Sequence, residues 1–135
     1  MHKYHIALGS NLGDRLANLQ QARTALQQLG SITRASEVIE TEPFGAANHL
    51  FLNQMVEFKT ELAPADLLDC LKTLETQLGR VPREHWGNRE IDLDLILWSG
   101  GKLDTISPRG NQLTLPHLGF ANRPFLQDLY ASITG

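Results

Sequence analysis

Apolar residues along this chain change period from two to about three and a half and back, and those changes mark the elements. Tyr4 to Leu8 reads as a buried strand, and the turn-rich Gly9-Ser10-Asn11-Leu12-Gly13-Asp14 after it offers Asp14 as a helix N-cap. Leu16, Leu19, Ala22, Leu26 and Leu29 recur at helical spacing, with Gly30 as the expected stop. Ile32 to Glu40 is a second candidate strand, and Thr41 to Asn48 a loop. Leu50 to Leu62 alternates as a third strand, with Leu52, Val56 and Phe58 toward the core and Phe51, Asn53 and Met55 on the other face. Pro64 suits the first turn of a second helix carrying Leu67, Leu68, Leu71, Leu74 and Leu78, which Gly79 ends. Val81 to Asn88 is a polar loop. Arg89-Glu90-Ile91-Asp92-Leu93-Asp94-Leu95, running on into Ile96-Leu97-Trp98, is a fourth strand whose Ile91, Leu93, Leu95 and Leu97 line the core side. A Gly-rich turn at Ser99-Gly100-Gly101, an irregular stretch through Pro116 and a short amphipathic tail from Pro124 to Ala131 complete the chain.

The order strand, helix, strand, strand, helix, strand predicts an α+β sandwich of the ferredoxin-like β-α-β-β-α-β type. Both helices cover one sheet face and leave the other to ligand loops. At 135 residues, with 41% hydrophobic residues and no repeats, the chain reads as one domain, 1–135. The single Cys70 offers no disulfide framework or zinc pattern and fits a reducing cytoplasm. No apolar run approaches the ~20 residues of a membrane span, and the N-terminal apolar run is too short for an export signal. A net charge of −3 argues against general nucleic-acid binding, so phosphate chemistry must rely on local arginines.

The most informative chemistry is in the fourth strand. Asp92 and Asp94 project to one face with Cα atoms roughly 6.5–7 Å apart, a spacing at which two carboxylates can grip a hard cation that phosphate oxygens complete. An edge strand with two solvated acids fits the same pattern. Arg80, Arg83 and Arg89 bracket the preceding loop with His85 and Trp86, and such guanidiniums suit phosphate oxygens, although a solvated loop balancing Glu75, Glu84 and Glu90 is also open. His117 stands in a loop with Phe120, Arg123 and Phe125; alone it is as well explained as a structural hydrogen-bonder. Thr41-Glu42-Pro43-Phe44-Gly45 beside Phe51 and Asn53 could sandwich a flat heterocycle, and Phe51 could equally be satellite core. Neither a Walker loop nor a dinucleotide fingerprint is present.

Taken together, these motifs resemble the 6-hydroxymethyl-7,8-dihydropterin pyrophosphokinase family over nearly the whole chain. The likeness is carried by Ala7 to Asp14, Glu40 to Gly45, Phe51-Leu52-Asn53, Glu75 with Gly79-Arg80, Arg89 to Leu95, and Leu115-Pro116-His117 with Arg123. It implies a ferredoxin-like fold whose loops close over ATP and a pterin, with Asp92 and Asp94 holding two Mg²⁺ ions and Arg80 and Arg89 as catalytic arginines. It also implies nucleotide contacts at Leu68, Lys72, Arg80, Arg89, Leu95, Thr114, His117 and Arg123. The implied pterin pocket comprises Thr41, Pro43, Phe44, Phe51, Asn53, Trp86 and Phe125. The implied reaction is transfer of pyrophosphate from ATP, releasing AMP, in folate biosynthesis by a cytoplasmic monomer. The chain departs from the family pattern at Pro82, Asn88 and Gln112, which leaves a divergent pterin- or nucleotide-binding relative with little transferase activity as the alternative.

Overall fold

The computed structural model describes residues 1–42, 49–82 and 88–134. Pro43, Phe44 and Trp86, with Arg83 and His85, lie outside them. In chain order the elements are β1 (His2–Ser10), α1 (Arg15–Leu26), β2 (Ser31–Ala35), β3 (Ile39–Thr41), β4 (Phe51–Thr60), α2 (Pro64–Gln77), β5 (Asp92–Trp98), β6 (Leu103–Ile106), β7 (Gln112–Leu115) and α3 (Pro124–Thr134). The main sheet is antiparallel in the order β2-β4-β1-β5, and β3 also pairs with β4. This is the α+β arrangement expected, with the second strand divided in two. The division falls at Ser36, which replaces the ladder locally: its N–H donates to the Met55 carbonyl at 2.9 Å, and its Oγ accepts from the Met55 N–H at 2.9 Å.

Helices α1 and α2 cover one face of the sheet. Leu19, Ala22 and Leu26 meet Leu67, Leu68, Leu71 and Leu74 over Tyr4, Ile6, Leu8, Val56, Phe58, Leu93 and Leu95. Burial of this apolar surface, at about 25 cal/mol per Å², is the main force holding the layers together. Asp14 does cap α1, its Oδ1 accepting from the Ala17 N–H at 3.1 Å. Two details differ from the periodic reading. Leu16 is 57% exposed, because the inward position of the first turn belongs to Asn18, whose Nδ2 donates to Ser10 Oγ, the Leu12 carbonyl and the Glu90 carbonyl. The helix also ends at Leu26, ahead of Gly30. Gly30 serves a close approach instead: a Cβ there would sit 2.3 Å from the Lys59 carbonyl oxygen.

The opposite face is not left to ligand loops alone. Helix α3 runs three residues beyond the expected Ala131 and seats Leu126, Leu129 and Ile133 on Ala7, Met55 and Ile96. A β-bulge prepares this seat. Ile6 pairs with Leu95 but His5 pairs with Leu97, so Ile96 is an extra residue in β5. The slip moves Leu97 off the core side assigned to it and packs it with Ile96 against the α3 cluster, while Trp98 rejoins the larger core. The stretch expected to be irregular contains a hairpin, β6 paired with β7, whose Leu103, Leu113 and Leu115 pack into the main core. Among the described residues no helix is long and apolar enough to cross a membrane.

Candidate active site

Three strands place the site by register. Gly9 of β1 lies between Asn53 of β4 and Asp92 of β5, and Ala7 lies between Met55 and Asp94. Residues directly opposite in a ladder share a face, so Asn53, Gly9, Asp92, Ala7 and Asp94 form a floor with two small residues along its centre. Over it opens a cleft of about 620 Å³, its mouth included, lined also by Thr41, Glu42, Phe51, Arg89, Arg123, Phe125 and Leu126. The floor is low because β1 supplies no side chain there: a Cβ on Gly9 would lie 3.0 Å from Asn53 Oδ1 and 3.6 Å from Phe51 Cδ1. Asn53 is fixed by a hydrogen bond from its Nδ2 to Thr41 Oγ1 at 2.5 Å.

The polar end of the cleft is strongly charged. Arg80 Nη1 and Arg89 Nη1 each lie 3.3 Å from Asp92 Oδ1. Arg80 is aimed by the end of α2, where the Gly79 N–H donates to the Thr76 carbonyl and the Arg80 N–H to the Glu75 carbonyl. Gly79 permits this Schellman turn with φ of 101°. Glu75 then holds the same arginine by its side chain, 2.8 Å from Arg80 Nη1, and its Oε2 accepts from the Leu93 N–H at 2.7 Å. Burial raises the Glu75 carboxyl, and the Asp92 charge adds to that, while Lys72, the Leu93 N–H and Arg80 act the other way. Asp94 is raised well above the usual carboxylate range, first by burial and then by the charges of Asp92 and Glu75. Two acids crowded in this way are suited to a cation.

Behind this group the loop carrying Arg89 is pinned by Asn11, which is 2% exposed. Its Nδ2 donates to Asn88 Oδ1 at 2.9 Å, its Oδ1 accepts from the Arg89 N–H at 2.6 Å, and its own N–H donates to the Arg89 carbonyl at 3.0 Å. Asn88, one of the departures from the family pattern, is thus built into the support of Arg89.

A second opening of about 950 Å³, solvent at its mouth included, is lined by Gln112, Thr114, His117, Leu118, Gly119, Asn122 and Arg123. Arg123 belongs to both clefts. The His117 N–H donates to the carbonyl of the bulged Ile96 at 2.8 Å, and its Nδ1 accepts from the Gly119 N–H at 2.9 Å. Burial first, and Arg123 second, lower its pKa and keep the ring neutral.

The structure therefore brings together Thr41, Phe51, Asn53, Arg89, Asp92, Asp94, Arg123 and Phe125 in one cleft, with Arg80 ion-paired to its edge. Thr114, His117 and Arg123 share the other. Leu68 and Leu95 lie in the helix-side core, 7% and 2% exposed, and Lys72 is 3.7 Å from Glu75 Oε1. Sequence reasoning assigned no site role to Glu75, Ala7 or Gly9. Glu75 had a signal, an acid next to Leu74 on the buried stripe of α2, 3% exposed. Ala7 and Gly9 had only their place in the Ala7 to Asp14 motif, since a missing side chain leaves no mark in a hydrophobic pattern.

Paired acids, guanidiniums and an aromatic-amide cleft on the open face of an antiparallel α+β sheet define an enzyme class, cation-assisted phosphoryl transfer to a flat acceptor. Residues 5–134 match the 7,8-dihydro-6-hydroxymethylpterin-pyrophosphokinase (HPPK) family, and the chain belongs to it. It is 39% identical to the 2-amino-4-hydroxy-6-hydroxymethyldihydropteridine pyrophosphokinase of Bacillus subtilis over 125 residues, covering 90% of this chain and 72% of that protein. The Haemophilus influenzae enzyme of the same name is 34% identical, covering 90% of this chain and 75% of its own. A mitochondrial folate synthesis bifunctional protein of Pisum sativum is 39% identical over 123 residues, 90% of this chain and 23% of that protein.

Proposed function

We propose that the chain transfers the pyrophosphoryl group of ATP to the hydroxymethyl oxygen of 6-hydroxymethyl-7,8-dihydropterin, releasing AMP, as a step of folate synthesis. The observation that carries this reading is the single cleft in which Phe51, Asn53 and Phe125 meet Asp92, Asp94 and Arg89. Phe51 and Phe125 flank the pterin ring, and Asn53 with Thr41 reads its hydrogen-bonding edge, joined by Pro43, Phe44 and Trp86. Arg123, Thr114 and His117 hold the nucleotide side with Lys72, and Leu68 and Leu95, buried in the helix-side core, support it from beneath. The hydroxyl oxygen bonds to the β-phosphorus as its proton passes to solvent, and the bond from that phosphorus to the α–β bridging oxygen breaks, its electron pair leaving with AMP. Arg80 and Arg89, each 3.3 Å from Asp92 Oδ1, stabilise the charge that accumulates on the transferred group. The protein's part is alignment and charge neutralisation.

The donor set fits magnesium. Among the described residues no three His, Cys, Asp or Glu side chains converge as a metal cage, and a two-carboxylate grip completed by water and phosphate is what Mg²⁺ favours. Asp92 and Asp94 would hold two ions, and the bound metal supplies Lewis-acid polarisation and shields the triphosphate charge. A cytoplasmic monomer is the form proposed, and free Cys70 with no disulfide among the described residues is consistent with that compartment. Incubation of purified protein with Mg-ATP and the reduced pterin alcohol is the test. AMP forms only when both are present; no AMP above background at high enzyme concentration overturns the proposal.

A further inference from the structure

Asp69 of α2 takes no part in the chemistry above, and it is 8% exposed. Its Oδ1 accepts from Ser107 Oγ at 2.5 Å and Asn111 Nδ2 at 2.8 Å, and its Oδ2 accepts from the Arg109 N–H at 3.2 Å. Arg109 Nη1 adds a bond to Thr73 Oγ1, one turn further along the helix, at 3.0 Å. All three partners of Asp69 lie in the turn joining β6 to β7. The turn is closed on itself by the Ser107 N–H on the Asn111 carbonyl at 2.8 Å and the Asn111 N–H on Ser107 Oγ at 2.9 Å. Charge-assisted hydrogen bonds are the stronger kind, and the bond from buried Ser107 is the main reason the Asp69 carboxyl sits below its ordinary range.

The hairpin does not need Asp69 in order to stay attached, since Leu113 and Leu115 are each 3% exposed in the main core. What the carboxylate adds is a fixed attitude. The next residue after the clamped turn is Gln112, which with Thr114 and His117 lines the second cleft. Lys72 lies three residues after Asp69 on α2. We infer that Asp69 is a positioning residue for the nucleotide-side cleft, holding the β6–β7 turn on α2 so that Thr114 and His117 face the triphosphate at a set distance from Lys72. This rests on the assignment of that cleft to the nucleotide.

The test uses Asp69→Asn, and Ser107→Ala, which removes the shortest bond from the other side with less risk to folding. Each should weaken binding of a non-hydrolysable Mg-ATP analogue, read by calorimetry, about tenfold, the equivalent of ~1.4 kcal/mol. The KM for ATP should rise in step, that for the pterin should stay within about twofold, and Ser107→Thr should restore binding. Asp69→Asn combined with His117→Ala should lose less than the sum of the two. Unchanged analogue binding, equal weakening toward both substrates, or strict additivity overturns the inference. Analogue binding by the wild type without AMP formation removes the transfer reading alone, whereas no binding by the wild type removes the cleft assignment and this inference with it.

Discussion

At the residue scale, Asp94 shows how the site trades stability for chemistry. Its charged form is disfavoured by burial and by Asp92 and Glu75, so a neutral isostere relieves a strain that the folded chain otherwise carries. Asp94→Asn is expected to raise the melting temperature of the ligand-free protein at neutral pH while lowering AMP formation at least about 10²-fold. A fall in melting temperature would show that the acid stabilises the fold. Gly9 makes the opposite kind of contribution, by what it lacks. Gly9→Ala puts a methyl 3.0 Å from Asn53 Oδ1, and Asn53 cannot turn away without losing Thr41. The KM for the pterin should rise about tenfold, with ATP affinity and thermal stability nearly unchanged. Asp92, Asp94, Phe51 and Asn53 were legible because a two-residue spacing in a strand fixes a common face. Gly9 was not, because its role depends on which strand lies beside it.

At the scale of the element, α2 is more than a cover for the sheet. Its last turn aims Arg80, and Glu75 joins that arginine to the amide of Leu93. In Glu75→Gln the remaining carbonyl oxygen still accepts from Leu93, but the ion pair with Arg80 is lost. Turnover should fall about tenfold with both KM values near wild type, and melting should shift little, since the carboxylate is itself penalised by burial. Equal kcat in the two proteins would mean that Arg80 is held by other means. The Pro64 start and Gly79 stop of α2 were readable because each residue acts on its own backbone. The β6–β7 hairpin was missed because its strands, at four residues each, are the shortest whose alternation counts as a signal, and the turn between them carries no hydrophobic pattern. The bulge at Ile96 was missed because it is a mismatch between two strands and neither sequence contains it alone.

At the scale of the whole molecule, α3 covers part of the open face and packs Tyr130 edge-on to His5, ring centroids 4.8 Å apart. His5 Nε2 has no hydrogen-bond partner among the described residues and lies 3.7 Å from Glu57 Oε2, with Lys3 Nζ 3.8 Å from the same oxygen. Burial, with Lys3, lowers its pKa below the ordinary 6.5, and Glu57 only partly offsets this. The unfolded chain then takes up protons that the folded chain resists, so stability is full above that ordinary value and declines as the pH falls below it. His117, lowered in the same direction, adds to the decline. The melting temperature of His5→Gln should accordingly fall less steeply than that of wild type between about pH 7 and about pH 5; parallel curves would place the acid sensitivity elsewhere.

The sequence by itself determined β1, α1, β4, α2 and β5, the two apolar stripes that bury α1 and α2, and the coincidence of Asp92 with Asp94. These depend on periodicity and on residues acting within a few positions of themselves. Only the tertiary structure decided that Asn53, Gly9 and Asp92 form one row, that Leu97 leaves the core face, that α3 packs on the open face of the sheet, and that Glu75 and Asp69 are buried among partners from distant segments. Each of those is a relation between segments far apart in the chain. Register, bulges and buried ion pairs are fixed by the fit of two surfaces, which neither surface records.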